Sequence, residues 1–302
     1  MRRRPNERFA LVADLGGTKI AAARIGASGE ITHRLQAATP AVGGKHVVDA
    51  VAHLFMQLPR EAAGAVGVAV PGLARPDGTV WAPNLPGWTR MPLARMLEKR
   101  LRLPVILESD RNACVLGEAW LGRAQHCSDV VFVTVGTGIG AGIISRGHLL
   151  RGSGELAGCL GWLPVREKFL PAWKTIGCLE FHAAGPGIGR AATRAFGTSV
   201  TPERVVALAR AGDARALRVL ADAGSALGVA LAAVVDILNP QIIVVGGGTA
   251  AAGNLLLAPA RQTLCQWAQP LAGRQVRLVR SSLGSRAPLL GLAKICFDRF
   301  PQ

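Results

Sequence analysis

Three glycine-rich segments carry residue types suited to holding an anion. They are Asp14-Leu15-Gly16-Gly17-Thr18-Lys19, then Gly136-Thr137-Gly138-Ile139-Gly140, then Gly246-Gly247-Gly248. Glycines at such turns let backbone N–H groups approach a phosphate oxygen closely, and a neighbouring threonine hydroxyl adds a donor. A plain β-hairpin needs only two turn residues. It explains neither the acidic Asp14 ahead of the first turn nor the recurrence of the pattern at Gly136. The third segment follows an apolar strand and precedes a helix, a junction that suits a planar base or ribose lying close to backbone.

Two common nucleotide motifs are excluded by their spacing. Gly136-Thr137-Gly138 begins like G-x-G-x-x-G, but Ala141 stands where the last glycine belongs, and residues 141–145 read as strand where a dinucleotide fold requires a helix. A Walker A loop is also missing, because Gly44-Lys45 runs into His46 and Thr39 occupies the place of its first glycine.

The elements that must position these residues follow from periodicity. Apolar and β-branched runs predict strands at 9–14, 20–25, 65–70, 105–109, 130–135, 142–145, 241–245 and 276–280. Helical patterns lie between them at 46–58, 92–101, 111–121, 202–211, 214–238 and 254–267, with a final helix at 288–297. Such alternation argues an α/β protein. The glycine hairpin appears twice, each time between apolar strands, so two similar lobes are expected: residues 1–115, with the C-terminal helix (288–302) returning to them, and residues 116–287.

Composition narrows the class. The chain has 302 residues, 50% hydrophobic and 18% charged, enough for two lobes with real cores. No apolar run reaches the roughly 18 residues of a membrane span, since Asp222, Ser225 and Asp236 interrupt the longest candidate, 221–238. Arg2-Arg3-Arg4 precede too short an apolar stretch for a secretion signal, and the six cysteines are widely spread. A cytoplasmic protein with reduced thiols and no membrane partner is expected. The formal charge of +16 would attract polyanions, yet only six of the 35 basic residues are lysine and the arginines are scattered. An arginine-rich composition accounts for the charge without nucleic acid.

Taken together, these segments resemble the ROK family of sugar kinases and sugar-responsive repressors, within the actin-like ATPase superfamily. Residues 14–19 match its first phosphate motif, 67–72 its Gly-Val-Ala-Val-Pro-Gly segment, 84–88 an Asn-Leu-x-x-Trp segment near the sugar, 133–143 the second phosphate motif and 242–248 the adenosine motif. The resemblance implies a two-lobed actin-like (ribonuclease H-like) fold with a nucleotide and sugar cleft between the lobes. It implies ATP-dependent phosphorylation of a hexose or hexose derivative, with O6 as the expected acceptor. ATP would be held by Asp14, Gly16, Gly17, Thr18, Lys19, Gly136, Thr137, Gly138, Gly246, Gly247 and Gly248. Mg²⁺ would accompany it, with Asp14 participating through water. A homodimer is implied as well. Polyphosphate is the alternative donor suggested by the positive charge, and the adenosine motif favours ATP.

The family's base is the Asp of an Asn-Asp pair, and here the segment reads Glu108-Ser109-Asp110-Arg111-Asn112. Taken alone, Asp110 reads as the N-cap of the helix that follows. The resemblance makes it the general base that deprotonates the sugar hydroxyl. Repressors of this family carry a helix-turn-helix domain ahead of the first strand, and the eight residues before Phe9 leave no room for one. A catalytically weak relative that binds sugar or nucleotide is the alternative reading.

The departures concern the acceptor. The family's Ala-Gly-Glu-x-Gly-His becomes Ala157-Gly158-Cys159-Leu160-Gly161-Trp162, and Ser109 replaces the Asn beside the base. Expected sugar contacts are therefore Gly72, Asn84, Ser109, Asp110, Cys159, Trp162 and Glu180, with a substrate differing from plain glucose at C1 or C2. In the family's zinc segment, aligned with 171–180, Pro171, Trp173 and Lys174 replace two cysteines and a glycine, leaving Cys178. One cysteine without a partner histidine cannot fill a four-ligand site, so no structural zinc is expected.

Overall fold

In the computed structural model, which describes residues 8–300, the strands form two five-stranded sheets, one at the centre of each of two units. The first unit begins with the antiparallel strands β1 (Phe9–Leu15), β2 (Lys19–Gly26) and β3 (Ile31–Ala38), followed by α1 (Gly44–Gln57) and β4 (Ala63–Val70). The small hairpin β5 (Leu73–Ala74) and β6 (Val80–Trp81) leads to α2 (Leu93–Leu101), β7 (Val105–Ser109) and α3 (Asp110–Leu121). The strand order is β3-β2-β1-β4-β7, with β1, β4 and β7 parallel. Strands β1 and β4 are buried nearly throughout, as central strands covered on both faces must be.

The second unit repeats this plan. Strands β8 (Val130–Val135), β9 (Ile139–Ser145) and β10 (His148–Leu149) precede four helices: the single turn α4 (Trp173–Ile176), α5 (Cys178–Ala183), α6 (Gly185–Phe196) and α7 (Pro202–Arg210). Then come α8 (Ala214–Leu238), β11 (Ile242–Gly246), α9 (Asn254–Trp267), α10 (Pro270–Gln275) and β12 (Arg277–Arg280). The order β10-β9-β8-β11-β12 reproduces the first sheet: an antiparallel meander followed by two parallel strands. Helix α8 is long and apolar enough to cross a membrane, because the interruptions at 222, 225 and 236 do not lower its mean hydropathy enough. Most of it is buried against its own unit, Ala226, Leu227 and Leu231 included, which explains the apolarity as core.

The last helix, α11 (Ala287–Arg299), belongs to the first unit, where it packs on α3, β1 and β4. That packing moves the unit boundary from the expected 115 to Gln125, since α3 stays with α11. Arg151–Leu156 also belongs to this unit. Glu108, 1% exposed, anchors the segment: it accepts from Arg151 Nη2 at 2.6 Å and from Asn112 Nδ2 at 2.9 Å. Arg151 also pairs with Glu155 at 2.8 Å, and Arg111 donates to the Glu155 carbonyl at 3.0 Å.

Two elements longer than six residues escape the periodicity. Strand β3 lies at the sheet edge with most side chains exposed, so it shows no apolar alternation. Helix α6 begins Gly185-Pro186-Gly187-Ile188-Gly189, which reads as a chain breaker. Yet Pro186 lies in the first turn, where proline is tolerated, and a side chain at Gly187 would collide with the Phe181 carbonyl.

Close helix packing in the second unit depends on small residues as well. A Cβ on Gly228 of α8 would lie 2.5 Å from the Ala260 carbonyl of α9 and 2.6 Å from Thr263 Cβ. Replacing Gly by Ala favours a helix by about 1 kcal/mol, whereas overpacking costs about 1–3 kcal/mol, and a backbone carbonyl has little room to retreat. Gly228→Ala is therefore expected to lower the melting temperature by a few degrees in a thermal denaturation scan; an unchanged or raised value would show that α8 and α9 separate freely.

Candidate active site

In the first unit the carboxyl ends of three parallel strands carry the chemistry, the usual place for ligands in such sheets. Register brings the groups level: Asp14 pairs with Ala69 and Ser109 with Val70, so one strand separates Asp14 from the start of α3. Asp14 is pushed up to about 7, first by burial and then by the charge of Asp110; Lys19 and Arg34 oppose the shift. Burial likewise raises Asp110, against the pull of the Arg111 N–H and guanidinium. The thiol of Cys114 is pushed well above its usual range by burial, then by Asp110 and Asp14. All three shifts report a desolvated corner, and those of Asp14 and Cys114 also report the negative charge of neighbouring carboxylates.

The turn after Asp14 is closed by Gly16 N–H donating to the Lys19 carbonyl at 2.9 Å, an approach that leaves no room for a side chain at Gly16. Gly17, Thr18 and Lys19 are exposed at its tip. A residue not expected from the sequence braces it: Thr39 donates its hydroxyl to the Gly16 carbonyl at 2.7 Å and its N–H to Thr18 at 3.0 Å.

Asp110 is not the helix cap. Ser109 is, with extended backbone and its Oγ accepting the Asn112 N–H at 3.4 Å. Asp110 occupies the first helical position, where its Oδ1 accepts the Arg111 N–H at 2.7 Å and the positive end of the helix favours its charge. Ser109 is buried and its hydroxyl is committed to the cap. Gly72 is needed for packing, since any side chain there would strike the Trp81 carbonyl. Asn84 is exposed, whereas Trp88 is buried and fixes the loop from behind through its Nε1 donating to the Gly44 carbonyl at 3.2 Å.

In the second unit the turn between β8 and β9 is closed by Gly136 N–H on the Gly138 carbonyl at 2.9 Å. Glu180 of α5 supports it, with Oε2 accepting the Ile139 N–H at 2.7 Å. Burial raises the Glu180 carboxyl and that hydrogen bond opposes the rise. Glu180 Oε2 also lies within 3.0 Å of where Cβ atoms would sit on Gly138 and Gly161, so glycine at both positions admits the carboxylate.

Beside this turn lies a cavity of about 610 Å³ whose walls include Gly136, Thr137 and Gly248. Pro186 of α6 and Glu203 and Arg210 of α7 complete it, residues that no sequence pattern singles out. Gly247 adopts φ +90° and a Cβ there would lie 2.5 Å from the Val135 carbonyl. Gly246 faces the Phe132 ring instead, so its role is packing. Helix α9 does not follow the glycines directly; a short 3₁₀ turn, Gly248–Ala252, intervenes.

Cys159 and Trp162 lie on a segment laid against β9: Ala141 N–H donates to the Gly158 carbonyl at 2.7 Å, and a Cβ on Gly161 would sit 2.7 Å from the Ile139 carbonyl. Cys159 is half-buried and Trp162 is 53% exposed. Cys178 is buried, its Sγ accepting the Val165 N–H at 3.4 Å. Trp173 packs edge-on against Phe169, Phe181 and His182. Among the described residues no three or more His, Cys, Asp or Glu side chains gather as a metal-binding group.

Comparison with known proteins agrees with this arrangement. The model of the ROK family matches residues 11–299. A glucokinase of Thermotoga maritima is 33% identical, covering 95% of this chain and 96% of that protein. The crystal structure of a ROK hexokinase from Thermus thermophilus superposes with a TM-score of 0.79 at 36% identity, over 94% of this chain and 96% of that one. That of a ROK family glucokinase from Streptomyces griseus, in complex with glucose and AMPPNP, gives 0.83 at 29% identity, over 95% and 98%.

The charge surplus around Asp14 has a measurable consequence. A carboxyl whose folded pKa is raised stabilises the fold fully below its unfolded value of 3.8, and that contribution is lost as pH rises through about 7. Each pKa unit is worth about 1.4 kcal/mol, so the loss is at most about 4 kcal/mol. Asp14→Asn stays neutral throughout. The melting temperature of that variant relative to the parent, measured without divalent cation, is expected to climb between pH 5 and pH 8; a flat difference would show that Asp14 is not held in a desolvated site.

Proposed function

The chain belongs to the ROK family, and from that premise we propose that it transfers the γ-phosphoryl group of ATP to the O6 hydroxyl of a hexose or hexose derivative, with Asp110 as general base. It has the actin-like ATPase fold of that family and is a carbohydrate kinase that uses ATP. The observation that carries the finer reading is the pairing of two desolvated carboxylates, Asp14 and Asp110, at one edge of the first sheet.

Each has a separate task. Asp110 accepts the proton of the acceptor hydroxyl as its oxygen forms the bond to phosphorus and the bond to the β-phosphate oxygen breaks. A carboxyl raised by burial is a better base for this purpose than one in water, and the Arg111 N–H keeps it oriented. Asp14 has oxygen donors, negative charge and too few opposing cations, which fits a hard divalent ion such as Mg²⁺. Mg²⁺ bound there with ATP supplies neutralisation of the phosphate oxygens.

The backbone N–H groups of residues 17–18 and 137–138 are the proposed phosphate donors, with Thr18 and Thr137 adding hydroxyls and Lys19 a charge. The cavity beside Gly136 and Gly248 is the proposed adenosine site. Its apolar surfaces on Pro186 and Ile188 suit the base, and Glu203 and Arg210 offer polar contacts at its rim. For the sugar, Asn84, Asp110, Cys159, Trp162 and Glu180 remain the proposed contacts; Gly72 and Ser109 act by shaping the backbone around them. The imidazole and carboxylate replaced by Trp162 and Cys159 would have bonded to hydroxyls, so a less polar substituent at C1 or C2 is favoured.

We also propose that the aromatic packing of Trp173 replaces zinc in the 171–180 segment; elemental analysis finding one tightly held zinc per chain would refute this. For catalysis the test is ATP consumption across hexoses, amino sugars, N-acetylated sugars and anhydro sugars. Asp110→Ala and Asp110→Asn are expected to reduce turnover on the best substrate by at least about a hundredfold while ATP still binds. Near-native turnover in these variants would remove Asp110 as base, and no turnover by the parent on any sugar would favour a binding protein.

A further inference from the structure

A second cavity of about 610 Å³ in the second unit lies outside the nucleotide and sugar residues named above. Its walls carry Arg166, Arg194, Arg215 and Arg218, together with His182 and a single carboxylate, Asp222. These arginines are dispersed in the sequence and form no visible basic cluster. The fold assembles them, because α6 and α8 bring 194, 215 and 218 to the wall that also receives 166 and the end of α5.

Three of the four guanidinium groups, those of Arg166, Arg194 and Arg218, have no carboxylate partner among the described residues. Arg215 is fixed, paired with Asp213 at 3.3 Å and stacked over the Phe196 ring at 4.1 Å. Arg166 donates to the Val165 carbonyl at 2.9 Å and has no carboxylate partner among the described residues. Neither Arg194 nor Arg218 takes part in any of the hydrogen bonds or ion pairs found among those residues, although Asp222 shares their cavity. Four positive charges against Asp222 and the Asp213 that pairs with Arg215 leave a surplus of two in a concave site. His182 senses it: burial, then Arg166, Arg194 and Arg190, hold its imidazole below the usual range. Its Nε2 is buried and makes no hydrogen bond.

From this assembly we propose that the second unit contains an anion site separate from the glycine turns, which takes a small, multiply charged phosphate compound. Planar guanidinium forks match the paired oxygens of a phosphate, and a surplus of two charges suits an anion carrying two or more. The cavity is large enough for a phosphorylated sugar or a short oligophosphate. It is concave, whereas a nucleic acid strand would need an extended stripe.

The site also has a mechanical connection to the second turn. Helix α5 presents His182 to this cavity, and two residues earlier Glu180 accepts the Ile139 N–H at the turn. Phe181 between them is gripped by Arg190, which stacks on its ring at 4.3 Å and donates to its carbonyl at 2.9 Å. An anion that draws on this wall therefore acts on the helix that braces the turn, and is expected to change the KM for ATP.

The test is isothermal titration of the full chain, without ATP or sugar, with tripolyphosphate, glucose 6-phosphate and inorganic phosphate in separate arms. One saturable site per chain is expected for at least one of the first two, and the tighter arm identifies the source of the phosphate. Arg194 and Arg218 are exposed, so R194A/R218A should fold; that pair is expected to weaken binding by about tenfold or more and to leave turnover without added anion unchanged. R194K/R218K, which keeps the charge, should recover part of the loss. Absence of saturable binding at millimolar concentration in all three arms would overturn the proposal. So would an isotherm unchanged in R194A/R218A, which would place the anion on the glycine turns instead. Neither outcome bears on phosphoryl transfer, whose test uses different residues.

Discussion

The first unit is organised around one electrostatic problem: two carboxylates, Asp14 and Asp110, are partly desolvated at the carboxyl ends of parallel strands of one mixed sheet. Burying an ionised carboxylate without a partner is costly, and the protein's own cations only partly oppose it. The fold tolerates the arrangement because both groups sit where backbone dipoles favour negative charge or where a second positive partner can enter. Asp110 has the first turn of α3 beneath it. Asp14 has the turn at 16–18, whose exposed residues 17 and 18 offer N–H groups that favour an anion and hence the cation that travels with it. The stress is confined to the carboxyl ends of β1 and β7, while the strands leading to them are buried and apolar.

The glycine turns answer the same problem from the other side. A turn that offers backbone donors to a ligand must satisfy its remaining groups from within the protein, since a buried unpaired donor costs about 1–3 kcal/mol. In the first turn Thr39 takes the carbonyl that faces inward. In the second, Gly185 N–H binds the Gly136 carbonyl at 2.8 Å and Glu180 takes the Ile139 N–H. Both braces come from elements outside the hairpin. They hold the inner side of each loop still, so that its outer side can present donors without reorganising.

This division explains what was legible in the sequence. The outer face of each turn is contiguous in the chain and must be glycine, threonine or a charged residue, so 14–19 and 136–140 stand out. The inner face is built from single residues at a distance: no local pattern distinguishes Thr39 or Gly185, and Glu180 stands out only as an expected sugar contact, not as the brace of Ile139 N–H. The walls of the cavity beside Gly248 come from α6 and α7, and α6 opens with glycines and a proline that look like a loop. Ser109 was legible as a departure but not as a cap, because the identity of a cap depends on which residue turns extended, a matter of one position. Gly246 was legible as part of a triplet, yet only its register beside Phe132 separates packing from ligand contact.

The segment with Cys159 and Trp162 shows how the proposed acceptor site can vary while the proposed phosphate turns stay fixed. Its backbone is locked to β9 through Gly158 and Gly161, where a larger residue would collide with strand carbonyls. The same strand begins at the turn that Glu180 braces. Side chains on the segment can therefore change without moving the turn, provided the two glycines and Glu180 remain. Cys159 and Trp162 occupy such free positions, one half-buried and one exposed. Trp173, 5% exposed and in edge contact with Phe181 and His182 of α5, fixes that helix by packing. Dispersion and area burial suffice for this purpose, because the requirement is only that one carboxylate stay within hydrogen-bonding distance of one N–H.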